Sequence, residues 1–136
     1  MSKSTNQQNS FMRDLIRRCL EEDGGLDGDL TTNSIVSEDT SARFNIRIRE
    51  EGVIAGLDLL VEVIDEFGDV SVKGLYKDGD VVKNESVAVV EGNLRAILLA
   101  ERTILNILCY ASGIATQTKR FVDAVSGTKY KKCKIC

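Results

Sequence analysis

Three features of this 136-residue sequence predict an α+β layered fold. Ala42, Phe44, Ile46 and Ile48 alternate with Arg43, Asn45, Arg47 and Arg49, the period-two pattern of a half-buried strand. Apolar residues recur at helical spacing over 11–22 and again over 57–67, so each stretch offers one greasy side. Between 70 and 90, short apolar runs are separated by Lys77-Asp-Gly-Asp80 and Asn84-Glu85, which read as turns. The pattern along the chain is α-β-α-β-β-α-α-β. It predicts one antiparallel sheet from 42–49 and 70–90, packed against the helices at 11–22 and 57–67.

Residues 1–10 are polar and are expected to be disordered. The first helix carries Phe11, Leu15, Ile16, Cys19 and Leu20. Asp23-Gly-Gly-Leu-Asp-Gly-Asp29 breaks it, and Leu30-Thr-Thr-Asn33 is expected to continue as loop. The carboxylates of this loop lack the ligand ladder and terminal glutamate of a calcium loop, so a solvated loop is the better reading. The second helix places Leu59, Leu60, Val63, Ile64 and Phe67 on one side and ends at Gly68. Asn93 to Ser112 forms the longest helix, free of internal glycine and proline. Gly113 is expected to interrupt it before a further helical stretch, Ile114 to Val125. Lys129 to Cys136 looks like a strand, and a strand after a helix normally opens a β-α series.

Composition excludes several classes. With 43% hydrophobic and 29% charged residues the chain is globular in character. A net charge of -3 offers no basic face for nucleic acid. No uninterrupted apolar run approaches a membrane span and the polar start is no signal peptide, so no membrane partner is expected and the cytoplasm is the default location. Cys19 and Cys109 fall on apolar helical faces and read as small buried hydrophobes. Cys133-Lys-Ile-Cys136 has zinc-like spacing but no second pair, and the chain has no histidine to complete a site. The lack of histidine also removes Ser-His and Cys-His nucleophiles and any histidine acid or base from this chain.

The long helix carries the chemically interesting residues. Leu94, Ile97, Leu98, Ile104, Leu105 and Leu108 form an apolar arc, while Arg95, Arg102 and Asn106 share a separate stripe. Glu101 projects within the apolar arc, where a carboxylate requires a cation or neutralisation. On residue types alone the stripe is a solvated face and Glu101 a paired aid to packing.

The motifs change that balance. Ala100-Glu-Arg-Thr-Ile-Leu-Asn106 followed by Ser112-Gly-Ile-Ala-Thr116 is similar to the pattern of quinolinate phosphoribosyltransferases. Glu22-Asp23 with Gly28-Asp29-Leu-Thr-Thr32, then Arg49-Glu-Glu-Gly-Val-Ile-Ala-Gly56, then Asp78-Gly-Asp80 and Glu91-Gly92, resemble the same family in the same order. The resemblance runs from about Glu22 to Gly127. It implies an N-terminal α/β sandwich with a four-stranded, mostly antiparallel sheet over 11–112, then the first elements of a truncated α/β barrel over 113–136.

The activity implied is the joining of quinolinate to phosphoribosyl pyrophosphate with magnesium, releasing nicotinate mononucleotide, carbon dioxide and pyrophosphate in NAD biosynthesis. The glutamate-arginine-threonine arginine maps to Arg102, which would contact quinolinate in the partner subunit of a homodimer, with Glu101 and Asn106 in support. No catalytic residue and no metal ligand is expected within this chain, because the family's Asp-Thr-Arg-Lys-Thr segment would follow Cys136. The chain alone is therefore expected to be inactive. An alternative is a non-catalytic lipoyl- or biotinyl-like module or other small binding or interaction module, suggested by Asp78-Gly-Asp80-Val-Val82, with Lys83 the nearest candidate for modification although its neighbours do not reproduce that setting.

Overall fold

The computed structural model describes residues 30–64 and 69–126, together with residues 10, 13–15, 17–19, 21 and 22. The described residues of the first predicted helix are helical. Three helices follow: α1 (Leu30–Ile35), α2 (Leu57–Ile64) and α3 (Leu94–Ser126). The strands are β1 (Ser41–Ile48), β2 (Gly52–Val53), β3 (Val70–Gly74), β4 (Val81–Val82) and β5 (Glu85–Asn93). The tail from 129 to 136, Gly68, and the pair Cys133 and Cys136 lie outside the described residues.

The antiparallel sheet is present, with β5 central between β1 and β3. It has three strands rather than four among the described residues; β2 and β4 form a separate two-stranded ribbon. The reason lies in strand length. The two residues of β4 are followed at once by Lys83-Asn84, with Asn84 at a φ of 54°, and that left-handed turn redirects the chain into β5. Position β5 at the centre is written in Val87-Ala-Val-Val90, where residues of both parities are buried. Neighbouring side chains point to opposite faces, so both sides of this strand are covered. A register shift between Ile46 and Arg47 sets Val87 as the extra residue opposite β1.

Leu57, Leu60 and Ile64 seat α2 on β3, and Ile97, Ala100, Ile104 and Leu108 seat α3 on the sheet. Together with Ile54, Val70, Val72, Val82, Val87, Ala88 and Val90 they make one core. Val63 and Phe67, placed on the same side from sequence, lie outside the described side chains.

Two local expectations are corrected. Leu30-Thr-Thr-Asn33 is helical, not loop, because Arg95 ties down the carbonyls at its C-terminal end. Gly113 does not interrupt α3, which runs unbroken for 33 residues. A single glycine costs a helix about 1 kcal/mol relative to alanine, and anchors on both sides of Gly113 outweigh that. By length and composition α3 could cross a membrane, yet its first half is the core helix of this domain.

Gly92 is forced by close packing. Its φ is 148°, and a Cβ there would strike the Asp69 carbonyl oxygen and come within 2.9 Å of the Val70 Cα. Gly79, at φ 97°, has open space where a Cβ would go. Gly92→Ala should therefore lower the unfolding free energy by more than about 4 kcal/mol, the range reserved for steric conflict in a core. Gly79→Ala, burdened only by its backbone conformation, should cost about 1–2 kcal/mol. Urea denaturation of both variants checks the difference.

Candidate functional site

Asn93 starts α3 by accepting hydrogen bonds at Oδ1 from the backbone N–H groups of Arg95 (3.0 Å) and Ala96 (3.3 Å). The helix then rises past the sheet with Ile97, Ala100, Thr103, Ile104 and Leu108 inward. Glu101, Arg102 and Asn106, the residues singled out from sequence, are all exposed. Arg102 and Asn106 stand one turn apart on the outer face. Glu101 lies on the other flank, lining a groove with Phe44, Arg47, Leu98 and Leu105. Glu101 does project among the residues of the apolar arc, but it is exposed, so the expectation that it must pair with a cation or be neutralised is corrected. Leu98 and Leu105 flank it but are themselves partly open to water at the rim, so solvent reaches the carboxylate.

Arg95 parts company with the stripe to which it was assigned. Its guanidinium bends over α1, donating from Nε (2.9 Å) and NH2 (2.6 Å) to the Val36 carbonyl and from NH2 to the Asn33 carbonyl (3.0 Å). Its NH1 meets the Glu38 carboxylate at 3.1 Å. Seven residues along a helix return nearly to the same angle, but α1 covers only the N-terminal turn, so the two arginines differ in surroundings. Cys109, expected to be buried, is exposed, because it lies about 100° round the helix from buried Leu108. Cys19 is partly exposed.

The middle of the helix is anchored on Gly52–Gly56. Ser112 Oγ accepts from the Ala55 N–H at 3.1 Å and donates to the Ala55 carbonyl at 3.4 Å. Thr116 Oγ1 accepts from the Val53 N–H at 2.9 Å and donates back to the Ser112 carbonyl at 2.7 Å. On the opposite edge, Ile54 donates to the Asp80 carbonyl and receives the Gly79 N–H. Asp78 then caps α2, its carboxylate accepting from the N–H groups of Gly56 (3.0 Å) and Leu57 (2.8 Å). Neither this cap nor the Ser112–Thr116 anchor was foreseen from sequence. The motif segments were visible there, but nothing in the chain says that they touch.

Comparison with known proteins decides between the two readings. Residues 29–112 match the sequence family described as "Quinolinate phosphoribosyl transferase, N-terminal domain". The chain belongs to the quinolinate phosphoribosyltransferase family. A nicotinate-nucleotide pyrophosphorylase [carboxylating] of Mycobacterium leprae is 44% identical over 88% of this chain and 43% of its own length. A probable enzyme of the same name from Methanocaldococcus jannaschii is 40% identical over 79% of the chain and 37% of its own length. The crystal structure of the nicotinate-nucleotide pyrophosphorylase from Ehrlichia chaffeensis superposes with a TM-score of 0.76 at 42% identity, covering 85% of this chain and 43% of that one. The chain thus spans less than half the length of these relatives.

Within the family frame, several shared motifs have structural work in this chain. Asp78-Gly-Asp80 caps α2 and pairs with Ile54, Glu91-Gly92 lets β5 pass Asp69, and Ser112 to Thr116 holds the 53–55 backbone. The lipoyl- or biotinyl-like reading is set aside with the family assignment; Lys83 lies in the β4–β5 turn with Glu51 at 3.8 Å. The arginines of β1 behave as the wet side of a sheet: Arg43 pairs with Glu91 and Arg47 donates to the Asn84 carbonyl.

Three substitutions test the anchors. Arg95→Ala removes donors from two carbonyls at the end of α1 and should destabilise the chain by about 1–3 kcal/mol. Glu38→Ala removes only an exposed ion-pair partner and should cost at most about 1 kcal/mol. Asp78→Ala strips the α2 cap and should cost about 0.5–2 kcal/mol. Thermal denaturation of the three variants ranks them.

Proposed function

We propose that this chain is the N-terminal part of an enzyme that joins quinolinate to phosphoribosyl pyrophosphate, with loss of carbon dioxide and pyrophosphate, to make nicotinate mononucleotide. The observation that carries the reading is the family match over residues 29–112, with Arg102 on the outer face of α3 between its anchors at Arg95 and at Ser112 and Thr116. Quinolinate presents two adjacent carboxylates. The planar guanidinium fork suits them, because it makes two parallel charge-assisted hydrogen bonds to one carboxylate. Arg102 is assigned this contact, made in the partner subunit of a homodimer. Glu101 and Asn106 are assigned supporting roles at the same surface.

Residues 11–112 are taken as the sandwich domain and 113–136 as the first elements of the barrel, a division supported by the end of the family match at 112. Charge stabilisation around the pyrophosphate and the developing sugar cation requires further cations and carboxylates. Among the described residues no three His, Cys, Asp or Glu side chains come together to hold a metal. Magnesium, when bound, would neutralise charge on the pyrophosphate, and its ligands are assigned outside these residues. A cytoplasmic location is proposed from the bacterial and archaeal relatives; an Arabidopsis thaliana relative is named chloroplastic. Association is supported by the exposed Tyr110, Ile114, Phe121 and Val122 on α3. Sedimentation of the 136-residue chain should show concentration-dependent self-association, and a monomer at all concentrations would oppose it.

The substrate contact is tested in a chimera in which this chain replaces the matching part of the Mycobacterium leprae relative. Arg102→Lys keeps the charge but loses the fork. A charge-assisted hydrogen bond contributes on the order of 1.5–3 kcal/mol, so quinolinate affinity should fall roughly tenfold or more while donor affinity changes much less. Unchanged quinolinate affinity by calorimetry would reject Arg102 as the contact. The 136-residue chain by itself should release no carbon dioxide from labelled quinolinate.

A further inference from the structure

The apolar packing of α3 is poorly directional. Ile97, Ala100, Ile104 and Leu108 would tolerate a small roll or slide over the sheet, since dispersion and area burial scarcely distinguish neighbouring settings. Hydrogen bonds do distinguish them. Ser112 and Thr116 sit four residues apart, and their hydroxyls take the N–H groups of Ala55 and Val53, two residues apart. The match is geometric: four helical residues climb about 6 Å, and two strand residues advance about 6.6 Å. One turn of α3 therefore reads one repeat of the strand, and only one register satisfies both groups.

The surroundings are built for this contact. The 53–55 backbone is paired with 79–82 on its other edge, so these N–H groups have no strand neighbour, and the helix takes the place of one. Gly52 brings the backbone close, and a Cβ there would lie 3.1 Å from Thr116 Oγ1. Gly56, at φ 87°, passes Ile107 and Ala111, where a Cβ would lie 3.3 Å and 3.4 Å away. The helix surface changes character just past Thr116, where 117–124 are all exposed. The anchor lies where the helix leaves the domain.

We propose that Ser112 and Thr116 are positioning residues, a hydroxyl clasp that sets the rotation and register of α3 and so the place at which Arg102 is presented. This rests on the reading of Arg102 as the quinolinate contact. Side chains reach about 5–6 Å from a helix axis, so a roll of about 20° moves an Arg102 contact by about 2 Å. A displacement of about 1 Å can cost a reaction as much as ~100-fold. Arg95 holds the N-terminal turn of the same helix, but through a long, flexible side chain. The short hydroxyls, joined directly to the helix, set its angle.

The clasp is tested first in the 136-residue chain. Thr116→Val keeps the shape and removes the hydroxyl, and amide exchange at Val53 should accelerate tenfold or more, while Thr116→Ser keeps it slow. Ser112→Ala should act likewise at Ala55. Residual dipolar couplings should show α3 reoriented relative to β1 and β5 in the double variant. In the chimera, Thr116→Val should raise the KM for quinolinate tenfold or more with little change in that for the phosphoribosyl donor, and Thr116→Ser should restore it. Unchanged exchange at Val53 and Ala55 would overturn the clasp. Faster exchange with unchanged couplings and an unchanged quinolinate KM would overturn positioning, whatever Arg102 does. If Arg102→Lys is silent but exchange and couplings respond, the Arg102 reading falls and the clasp stands as architecture alone.

Discussion

The segment Gly52–Leu57 has hydrogen-bonding needs on both edges and no polar side chain of its own with which to meet them. Its Ile54 amide and carbonyl are taken by 79–80, its Val53 and Ala55 amides by the hydroxyls of α3, and its Gly56 and Leu57 amides by Asp78. Buried or half-buried backbone groups left unpaired would each cost on the order of 1–3 kcal/mol, so all these partners must be in place together. The rest of the architecture follows. Leu57 enters the core only because α2 starts where Asp78 caps it, and α3 lies across the sheet at the angle its anchors allow.

This arrangement explains how segments far apart in the chain behave as one unit. Arg49 to Gly56, Asp78 to Asp80 and Ser112 to Thr116 converge on a single stretch of backbone. Two glycines serve the approach rather than a ligand: Gly52 admits Thr116, and Gly56 both turns the chain and lets Ile107 and Ala111 close in. Further along, Gly92 performs the corresponding task for β5 against Asp69. In this chain much of the family resemblance is thus a record of backbone approach.

The exposed apolar surface divides in the same way. Phe44, Leu98 and Leu105 border the groove beside Glu101, where β1 and α3 diverge. Ile114, Phe121 and Val122 lie beyond the clasp, where α3 has left the sheet. A helix that stays continuous through Gly113 carries the position set at Thr116 outward along its length, since a helix interior transmits orientation that a loop would lose.

Periodicity was sufficient for β1, α2 and the existence of α3, because each buries one face and the burial rule is written at fixed spacing. The turn chemistry of Lys77-Asp-Gly-Asp80 and Asn84 is equally plain, and the ordered motifs resemble one family along the chain. Sheet composition was not legible: β4 reads as a strand like any other, and only the Asn84 turn separates its ribbon from the sheet. Nor was the fate of charged residues. Arg95 and Arg102 share a helical stripe, and Glu101 falls among leucines, yet α1 covers the first, water reaches the third, and neither outcome has a signature along the chain. The sequence by itself determined which residues are apolar, which can turn and which can donate. Tertiary structure alone decided which donor meets which acceptor, because the pairs that hold this domain, such as Val53 with Thr116, lie 63 residues apart and satisfy each other only once the helix is laid across the strand.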